Sequence, residues 1–284
     1  MKNILYKCPI CDERLQIEGK SYVCDKRHTF DIAKEGYVNL LLHKSSKEPG
    51  DNKLSVLSRK EFLDSGYYDE LSNQINTLIS EFINIKINPK ADILDIGCGE
   101  GFYLSRLKNL LNKNKNGSEI NFWGVDISKP AIRYASRRST DINFCVGNAL
   151  LLPFQDNSID IALSVFAPLD SEEVNRVLKS DGQLIVVIPG KNHLSGLGKL
   201  IYDNFEPHRE DKDPIKGSTK LKLVDTKEVK NTIRIIGKNK IMALLSMTPY
   251  YWSINLEKKR ELENLDKLET EIDFRVLVYI KLEE

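Results

Sequence analysis

A glycine-rich run between a strand signal and a helix signal is the feature that most constrains the fold of this chain. The run is Leu94-Asp-Ile-Gly-Cys-Gly-Glu-Gly101, and a helical pattern begins at Phe102. Because glycine lacks a Cβ atom, such a run lets the backbone turn sharply and approach a ligand closely. Strand and helix signals then alternate as far as residue 188. This alternation predicts an α/β fold, with a parallel sheet covered by helices on both faces.

The apolar periodicity also predicts where the individual elements lie. Upstream of the glycine run, residues 59–87 have approximately helical spacing, with a break near Gly66. Residues 232–236 and 274–280 are predicted to be strands, forming an antiparallel pair at the edge of the sheet. The other expected elements are strands at 93–96, 121–125, 143–146, 159–166 and 183–188, and helices at 102–111, 130–138, 171–178 and from about 193.

A second motif lies near the start of the chain. Cys8-x-x-Cys11 and Cys24-x-x-x-His28 form two knuckles, twelve residues apart, with room between them for one hairpin turning near Gly19. Four nitrogen and sulfur ligands at such spacing are typical of a structural zinc site. The alternative, that some of these side chains are merely buried, is much weaker for four ligands. The module has little apolar material of its own, so zinc is expected to supply much of its folding energy.

Composition narrows the class of protein. The chain has 284 residues, of which 41% are hydrophobic and 29% charged, as is ordinary for a soluble globular protein. No stretch approaches the ~20 apolar residues of a membrane helix, and the start lacks the apolar block of a secretory signal. We therefore expect a cytoplasmic protein without membrane association. Its five cysteines then indicate metal binding rather than disulfides, with Cys98 and Cys145 as packing residues.

Charge is a weaker indicator. The net charge is only +1, so the charge of the whole chain does not by itself indicate a nucleic-acid binder. Residues 1–60, however, contain twelve Lys or Arg and eight Asp or Glu, a local charge of 12 − 8 = +4. A basic attachment on a near-neutral body is compatible with contacts to phosphates.

The spacing of the glycine run bears on its ligand. Gly97, Gly99 and Gly101 are spaced Gly-x-Gly-x-Gly, whereas the dinucleotide fingerprint is Gly-x-Gly-x-x-Gly. Glu100 lies inside the run, where a negative charge is awkward for phosphates and natural for cationic S-adenosylmethionine. The remaining alternative is that these glycines serve turn geometry alone.

The ends of the next two strands carry further candidates. Asp126 ends the second strand of the predicted sheet, and its carboxylate can accept both hydroxyls of a ribose. Asn148 and Ala149 follow the third strand, where an adenine ring would lie. Since ligands bind beyond the carboxyl ends of parallel strands, all these residues are candidates for one site.

The run 94–101 closely resembles the first motif of class I S-adenosylmethionine-dependent methyltransferases, over about residues 90–189. With the zinc motif, the chain from residue 6 to about 252 resembles the bacterial 23S ribosomal RNA guanine-N1 methyltransferases, including the tylosin-resistance type. Those enzymes modify a guanine in a hairpin loop. The other segments similar to that family are Asp31–Leu42, Asp51, Phe62–Tyr68, Pro189–Leu194 and Met247–Trp252.

The resemblance implies further properties of the chain. Zinc is expected on Cys8, Cys11, Cys24 and His28. The matched cofactor contacts are Tyr68, Gly99, Glu100 and His193, of which Tyr68 and His193 could not have been found from spacing. A homodimer is implied, with the zinc modules shaping an RNA cleft. The expected divisions are a zinc-binding RNA-recognition module at 1–42, a connector and helical segment at 43–88, and the methyltransferase domain at 89–284.

The sequence does not identify the catalytic residues. Phe166 lies after the fourth strand and is placed to stack on a base. Asp170, Glu172 and Glu173 are nearby carboxylates, but acids at a helix start more often serve the helix dipole. No general base is identified. Two alternatives to RNA methylation are a small-molecule methyltransferase with a purely structural zinc module, and a non-catalytic RNA-binding protein. The intact glycines and Asp126 disfavour the second.

Overall fold

The chain forms two sheets and a set of surrounding helices. The computed structural model describes residues 4–42, 50–84, 90–113, 119–208 and 213–282. A small antiparallel sheet near the start contains β1 (Gln16–Glu18), β2 (Ser21–Val23) and β3 (Thr29–Asp31). The first two of its strands form the predicted hairpin, which turns at Gly19 with a φ of 63°. Glycine suits this left-handed conformation because other residues are strained there.

The larger sheet has eight strands and a mixed topology. Its strands are β4 (Val38–Asn39), β5 (Lys90–Ile96), β6 (Glu119–Asp126), β7 (Asn143–Val146), β8 (Ile159–Val165), β9 (Leu178–Pro189), β10 (Leu221–Ile236) and β11 (Lys267–Lys281). Their order is β10-β11-β9-β8-β5-β6-β7-β4. The strands from β9 to β4 run parallel, and β11 is antiparallel to both of its neighbours. The chain leaves β5 toward β6 on one side and returns to β8 on the other, so a crevice opens beyond the ends of β5 and β8.

Helices cover both faces of this sheet. They are α1 (Lys53–Asp64), α2 (Asp69–Asn84), α3 (Phe102–Lys113), α4 (Lys129–Arg138), α5 (Ser171–Val177), α6 (Ser195–Ile201), α7 (Lys238–Ser246), α8 (Tyr250–Ser253) and α9 (Leu256–Glu263). Polar side chains cap several of their starts: Asn52 accepts two backbone N–H groups of α1, and Ser128 accepts one of α4. Such caps satisfy donors that the helix itself leaves free.

The N-terminal segment packs directly on the large sheet. Tyr6 is fully buried, and its ring lies edge-on to Trp123 and tilted against Phe154, with centroids 5.2 and 5.4 Å away. Downstream of the small sheet, β4 pairs in parallel with β7 through Val38 and Cys145. The zinc-ligand segment therefore shares its apolar core with the sheet instead of standing apart from it.

Most predicted elements are confirmed, with differences in extent. The helix expected from residue 59 begins earlier, at Lys53, and the break near Gly66 separates α1 from α2. The expected edge pair is antiparallel, as predicted, but β10 and β11 are far longer than 232–236 and 274–280. Long amphipathic edge strands carry polar residues on their exposed face, which hides their ends from an apolar pattern. Among the described residues, no helix is both long enough and apolar enough to cross a membrane.

Candidate metal centre and cofactor-binding site

Four side chains near the start of the chain converge on one point. The ligand atoms of Cys8, Cys11, Cys24 and His28 all lie within 4.8 Å of one another. His28 Nδ1 lies 3.6, 3.3 and 3.5 Å from the sulfurs of the three cysteines in that order. Tetrahedral zinc with Zn–S bonds of about 2.3 Å would separate its ligand atoms by roughly 3.5–3.8 Å. The four residues therefore fit zinc, as predicted.

Tight turns present these ligands. The N–H of Asp12 donates to the carbonyl of Cys8 at 2.9 Å, and the N–H of Arg27 donates to that of Cys24 at 2.8 Å. Asp12 and Arg27 both have a positive φ, of 63° and 65°. Two similar turns thus close the two knuckles, and all four ligand positions are taken by protein. A closed set of this kind is structural rather than catalytic.

The glycine run forms the turn between β5 and α3. Gly97, Gly99 and Gly101 have φ values of 72°, 55° and 80°. A Cβ atom on Gly97 would lie 2.3 Å from the Cβ of Ala167, so the loop after β8 touches the glycine loop. Among the described residues, a Cβ on Gly99 would meet Arg59 alone, at 3.8 Å. The loop is therefore closed by protein at Gly97 and open at Gly99, where a ligand can approach.

Asp126 holds the glycine loop from the end of β6. Its carboxylate accepts the N–H of Gly99 at 2.9 Å and the N–H of Ser128 at 2.8 Å. A carboxylate has about four acceptor positions, so two are left for the ribose hydroxyls that the sequence predicts there. Asn148 follows β7 at the same edge of the sheet, where its side chain accepts the N–H of Leu150. Ala149 lies beside it, and contact of both residues with an adenine ring stays a prediction.

Glu100 has a bracing contact that the sequence did not reveal. Its side chain is buried and pairs with Arg138 at 3.1 Å, and it accepts the N–H of Phe102 at 3.2 Å. Arg138 also donates to the Glu100 carbonyl and pairs with Asp64. The negative charge of Glu100 is therefore largely balanced by protein, so it is a weaker source of attraction for a cation than its position in the motif indicates.

Asp95 is a second acid under the loop. Burial, together with the nearby carboxylates of Asp126 and Glu100, raises its pKa to about 8. Its Oδ2 has no hydrogen-bond partner in the part of the chain that the structure describes. Because this pKa leaves Asp95 mostly protonated at neutral pH, Asp126 is the nearby acid better suited to favour a cationic ligand such as a sulfonium.

Tyr68 and His193 meet on the other side of the crevice. The Tyr68 hydroxyl lies 3.5 Å from His193 Nε2, and the backbone N–H of Asp273 donates to His193 Nδ1 at 3.3 Å. Because Nδ1 accepts, the ring proton of the neutral form is on Nε2. Burial lowers the pKa of His193 to about 3, and His208 contributes to the same direction. His193 is thus a neutral ring that presents one N–H.

Phe166 links this pair to the glycine loop. It follows β8 with a φ of 57°, it is 46% exposed, and its ring stacks on His193 with centroids 5.8 Å apart. A non-glycine residue in this conformation carries backbone strain, which is common at functional sites. The predicted platform for a base therefore lies in the open, directly beside His193, a predicted cofactor contact.

The three acids after β8 have structural partners. Asp170 caps α5 by accepting the N–H groups of Glu172 and Glu173, both at 3.0 Å. Glu172 pairs with Lys220, and Glu173 pairs with Arg176 and accepts the N–H of Leu152. These contacts favour a role in holding the helix over a role as general base.

Two residues beside the loop were missed from the sequence. Arg59 and Asp51 pair at 2.5 Å, and the Asp51 carbonyl accepts the hydroxyl of Ser128, at the start of α4. Both precede the glycine run by about forty residues, and only the tertiary fold brings them to it. The similarity of Asp51 to the family was a signal for this segment, and Pro49, two residues earlier, lies outside the described residues.

Comparisons with known proteins agree with this geometry. Residues 6–47 match the zinc-ribbon family described as "RlmA, N-terminal", and residues 87–245 match a family described as "Methyltransferase domain". The crystal structure of the YcgJ protein from Bacillus subtilis superposes with a TM-score of 0.50, at 16% identity, covering 75% of this chain and 100% of that one. This last likeness concerns the fold alone.

Two curated relatives resemble the chain over most of its length. "Putative 23S rRNA (guanine-N(1)-)-methyltransferase YxjB" of Bacillus subtilis (strain 168) is 30% identical, covering 98% of this chain and 97% of its own. "23S rRNA (guanine(748)-N(1))-methyltransferase" of Streptomyces fradiae is 29% identical, covering 88% of each.

The parallel sheet, the open glycine loop and the acid that ends β6 define a class I S-adenosylmethionine-dependent methyltransferase, here joined to a zinc ribbon. The end-to-end similarity places the chain more narrowly. It belongs to the family of the 23S rRNA (guanine-N1)-methyltransferases with an RlmA-type N-terminal zinc ribbon.

Proposed function

We propose that this enzyme transfers a methyl group from S-adenosylmethionine to N1 of a guanine in a hairpin loop of 23S ribosomal RNA. The observation that carries the proposal is the zinc ribbon packed on a methyltransferase sheet, in a chain similar end to end to the Bacillus subtilis relative. The relatives' names supply the base and the atom. The hairpin loop comes from the family resemblance, and an unpaired loop base is the kind that reaches a pocket most readily.

Phe166 and His193 are suited to hold the base. The two rings are stacked with an interplanar angle of 29°, and Phe166 is exposed whereas His193 is buried, so the base would stack on Phe166 with His193 supporting that ring. Stacking on an aromatic ring contributes about 1–3 kcal/mol per base. Since the low pKa of His193 keeps it uncharged, it does not repel the cationic sulfonium that must lie next to the base.

The chemistry requires alignment above all. When bound, S-adenosylmethionine supplies an electrophilic methyl group on its sulfonium. Guanine N1 carries a proton in its neutral form, so that proton must leave for the nitrogen lone pair to attack. The residues of the crevice hold N1 and the methyl in line at near-attack distance, which supplies a large part of the rate. Tyr68, buried beside His193, closes the crevice on the side away from solvent.

A methylation assay tests the proposal directly. The protein is incubated with labelled S-adenosylmethionine and a transcript of the 23S hairpin, and the product is mapped by nuclease digestion and mass spectrometry. N1-methylguanine within the loop is expected. A Gly99→Val variant, which places a branched side chain at the open point of the glycine loop, serves as the inactive control.

The outcomes separate the proposal from its alternative. A transcript with its loop guanines replaced by adenine should accept no methyl group. Methylation at another guanine atom, or transfer only to small molecules, would overturn the proposal and favour a small-molecule methyltransferase. Deleting residues 1–50 is a poor discriminator, because it would uncover Trp123 and Phe154, against which Tyr6 packs.

The division of the chain and its assembly belong to the same proposal. We assign RNA recognition to the ribbon at 1–42, a connector and helical segment to 43–88, and methyl transfer to 89–284. The enzyme is proposed to act in the cytoplasm as a homodimer, as the family resemblance implies. Light scattering that gives twice the mass of one chain would support the dimer, and the mass of one chain would contradict it.

A further inference from the structure

Arg59 is a cation at the open point of the glycine loop. It projects from α1, and its Nη1 lies 3.8 Å from the position of a Cβ built on Gly99. Its side chain is 28% exposed and pairs with the carboxylate of Asp51 at 2.5 Å. The guanidinium therefore faces the place where the described residues leave room for the cofactor, and it has a partner there, Asp51, that a ligand can replace.

The segment that carries this pair is fixed to the ribose end of the site. The Ser128 hydroxyl donates to the Asp51 carbonyl at 2.7 Å. A Cβ on Gly50 would lie 2.8 Å from the Ile127 side chain, so the segment rests closely on the turn after Asp126. The Asp51–Arg59 pair thus spans from the acid expected to bind ribose to the loop expected to bind the methionine part.

The charged side chains around the loop include acids for the positive groups of the cofactor, but its carboxylate needs a positively charged partner. Asp51 and Asp126 are acids that suit its ammonium and sulfonium groups. Its methionine part also carries a carboxylate, which needs a positive partner in a crevice rich in acids. Arg138, the other arginine at the loop, pairs with Glu100 and Asp64. Of these two arginines, Arg59 is the one whose guanidinium faces open space at Gly99.

We propose that Arg59 binds the methionine carboxylate of S-adenosylmethionine, which takes the place of the Asp51 carboxylate on the guanidinium. Guanidinium matches a carboxylate in shape as well as in charge, since two N–H groups can donate to two oxygens. The inference rests on the cofactor of the proposed function and not on its RNA. Arg59 is thus a cofactor-binding residue that lies outside the glycine motif.

Calorimetry with a pair of ligands tests the proposal without RNA. The ligands are S-adenosylmethionine and decarboxylated S-adenosylmethionine, which lacks only the carboxylate. Arg59→Met should weaken the first by about 10- to 100-fold, the range for one charged hydrogen-bonded pair. It should not weaken the second. Arg59→Lys keeps the charge and loses the two-pronged geometry, so its loss should be smaller. Arg133→Met, which removes an exposed arginine paired with Glu35, is the matched control.

Every outcome bears on the proposal. Equal loss for both ligands, or no loss for either, would overturn it. If Arg59→Met fails to fold, as thermal unfolding would show, the unaltered protein still decides: similar affinities for the two ligands would contradict a carboxylate contact. If the unaltered protein binds neither ligand, the proposed function fails along with the inference.

Discussion

The zinc-ligand cluster and the glycine loop are organised in opposite ways. In the cluster, four side chains converge, and the strands between the knuckles are three residues long, with β1 wholly exposed. The glycine loop is held by backbone groups: the N–H groups of Gly97 and Cys98 both donate to the Val125 carbonyl. The difference teaches that the first site depends on its metal, whereas the second is built by the sheet before any ligand arrives.

The two regions also differ in how they treat protons. Zinc binding requires cysteines to lose theirs, so the metal is bound more weakly at low pH. Under the glycine loop, burial favours a proton on Asp95. The zinc site therefore requires ionised cysteines, whereas burial under the glycine loop favours a neutral Asp95.

The largest expected effect is the loss of one zinc ligand. Cys24→Ser should reduce bound zinc from one per chain to near zero, because structural zinc contributes roughly 10–16 kcal/mol to such modules. RNA methylation should fall sharply, while cofactor affinity falls much less. Elemental analysis and calorimetry measure the two. Asp25→Ser, beside the ligand in the same knuckle, is the control and should keep its zinc. If Cys24→Ser reduced cofactor affinity as much as RNA methylation, the two regions would not be independent.

A smaller loss is expected at the end of β6. Asp126→Ala removes a charged acceptor for the ribose and also releases the N–H groups of Gly99 and Ser128. Each charged hydrogen bond is worth about 1.5–3 kcal/mol, so cofactor affinity should fall at least about tenfold. Zinc content should not change. Unaltered affinity in calorimetry would mean that the ribose lies elsewhere.

The protonation of Asp95 should make the stability of the protein depend on pH. Burial raises the folded pKa of Asp95 to about 8, whereas an unfolded aspartate has a pKa of about 3.9. Between these values the folded chain holds a proton that the unfolded chain releases. The free energy of unfolding should therefore fall as pH rises through that range, by up to about 1.4 kcal/mol per pH unit. Asp95→Asn cannot ionise and should flatten the slope in denaturant titrations; identical slopes would contradict a raised pKa.

The smallest effect is expected from two charges in the second knuckle. Lys26 and Arg27 pair with Glu13 and Glu18 on the surface, at 3.5 and 3.1 Å. Exposed pairs contribute about 0–1 kcal/mol, and these two cations are already partly neutralised. Replacing both with alanine should lower the salt dependence of RNA binding by less than the roughly 1.4–1.8 units of two full phosphate contacts. A full decrease in filter-binding titrations would make the knuckle a primary RNA contact.

Local patterns predicted the parts of the molecule that local chemistry decides. The four zinc ligands meet because two short turns present them, and turn spacing is visible in sequence. The glycine loop follows from a strand and a helix that adjoin it. Cys98 and Cys145 are fully or nearly buried, as packing residues should be.

Contacts between segments that are far apart in sequence could not be predicted from such patterns. Arg59 reaches Gly99 because α1 packs near the loop, and Asp273 on β11 sets the ring proton of His193. Each pairing joins segments tens of residues apart in sequence, and the residue pattern of one segment does not indicate that it contacts the other. The family resemblance named His193 but not the backbone group that orients it.

The strand β4, which follows the small sheet and pairs with β7, makes the ribbon a poor candidate for exchange between homologous enzymes. A graft would have to carry over Tyr6 together with Trp123 and Phe154, against which it packs, and Val38 together with its β7 partner Cys145. Without them it would leave a gap in the recipient. The same attachment holds the zinc knuckles at a set distance from the crevice. If the ribbon contacts RNA as proposed, the distance between that contact and the target base becomes a requirement for a substrate in addition to the base itself.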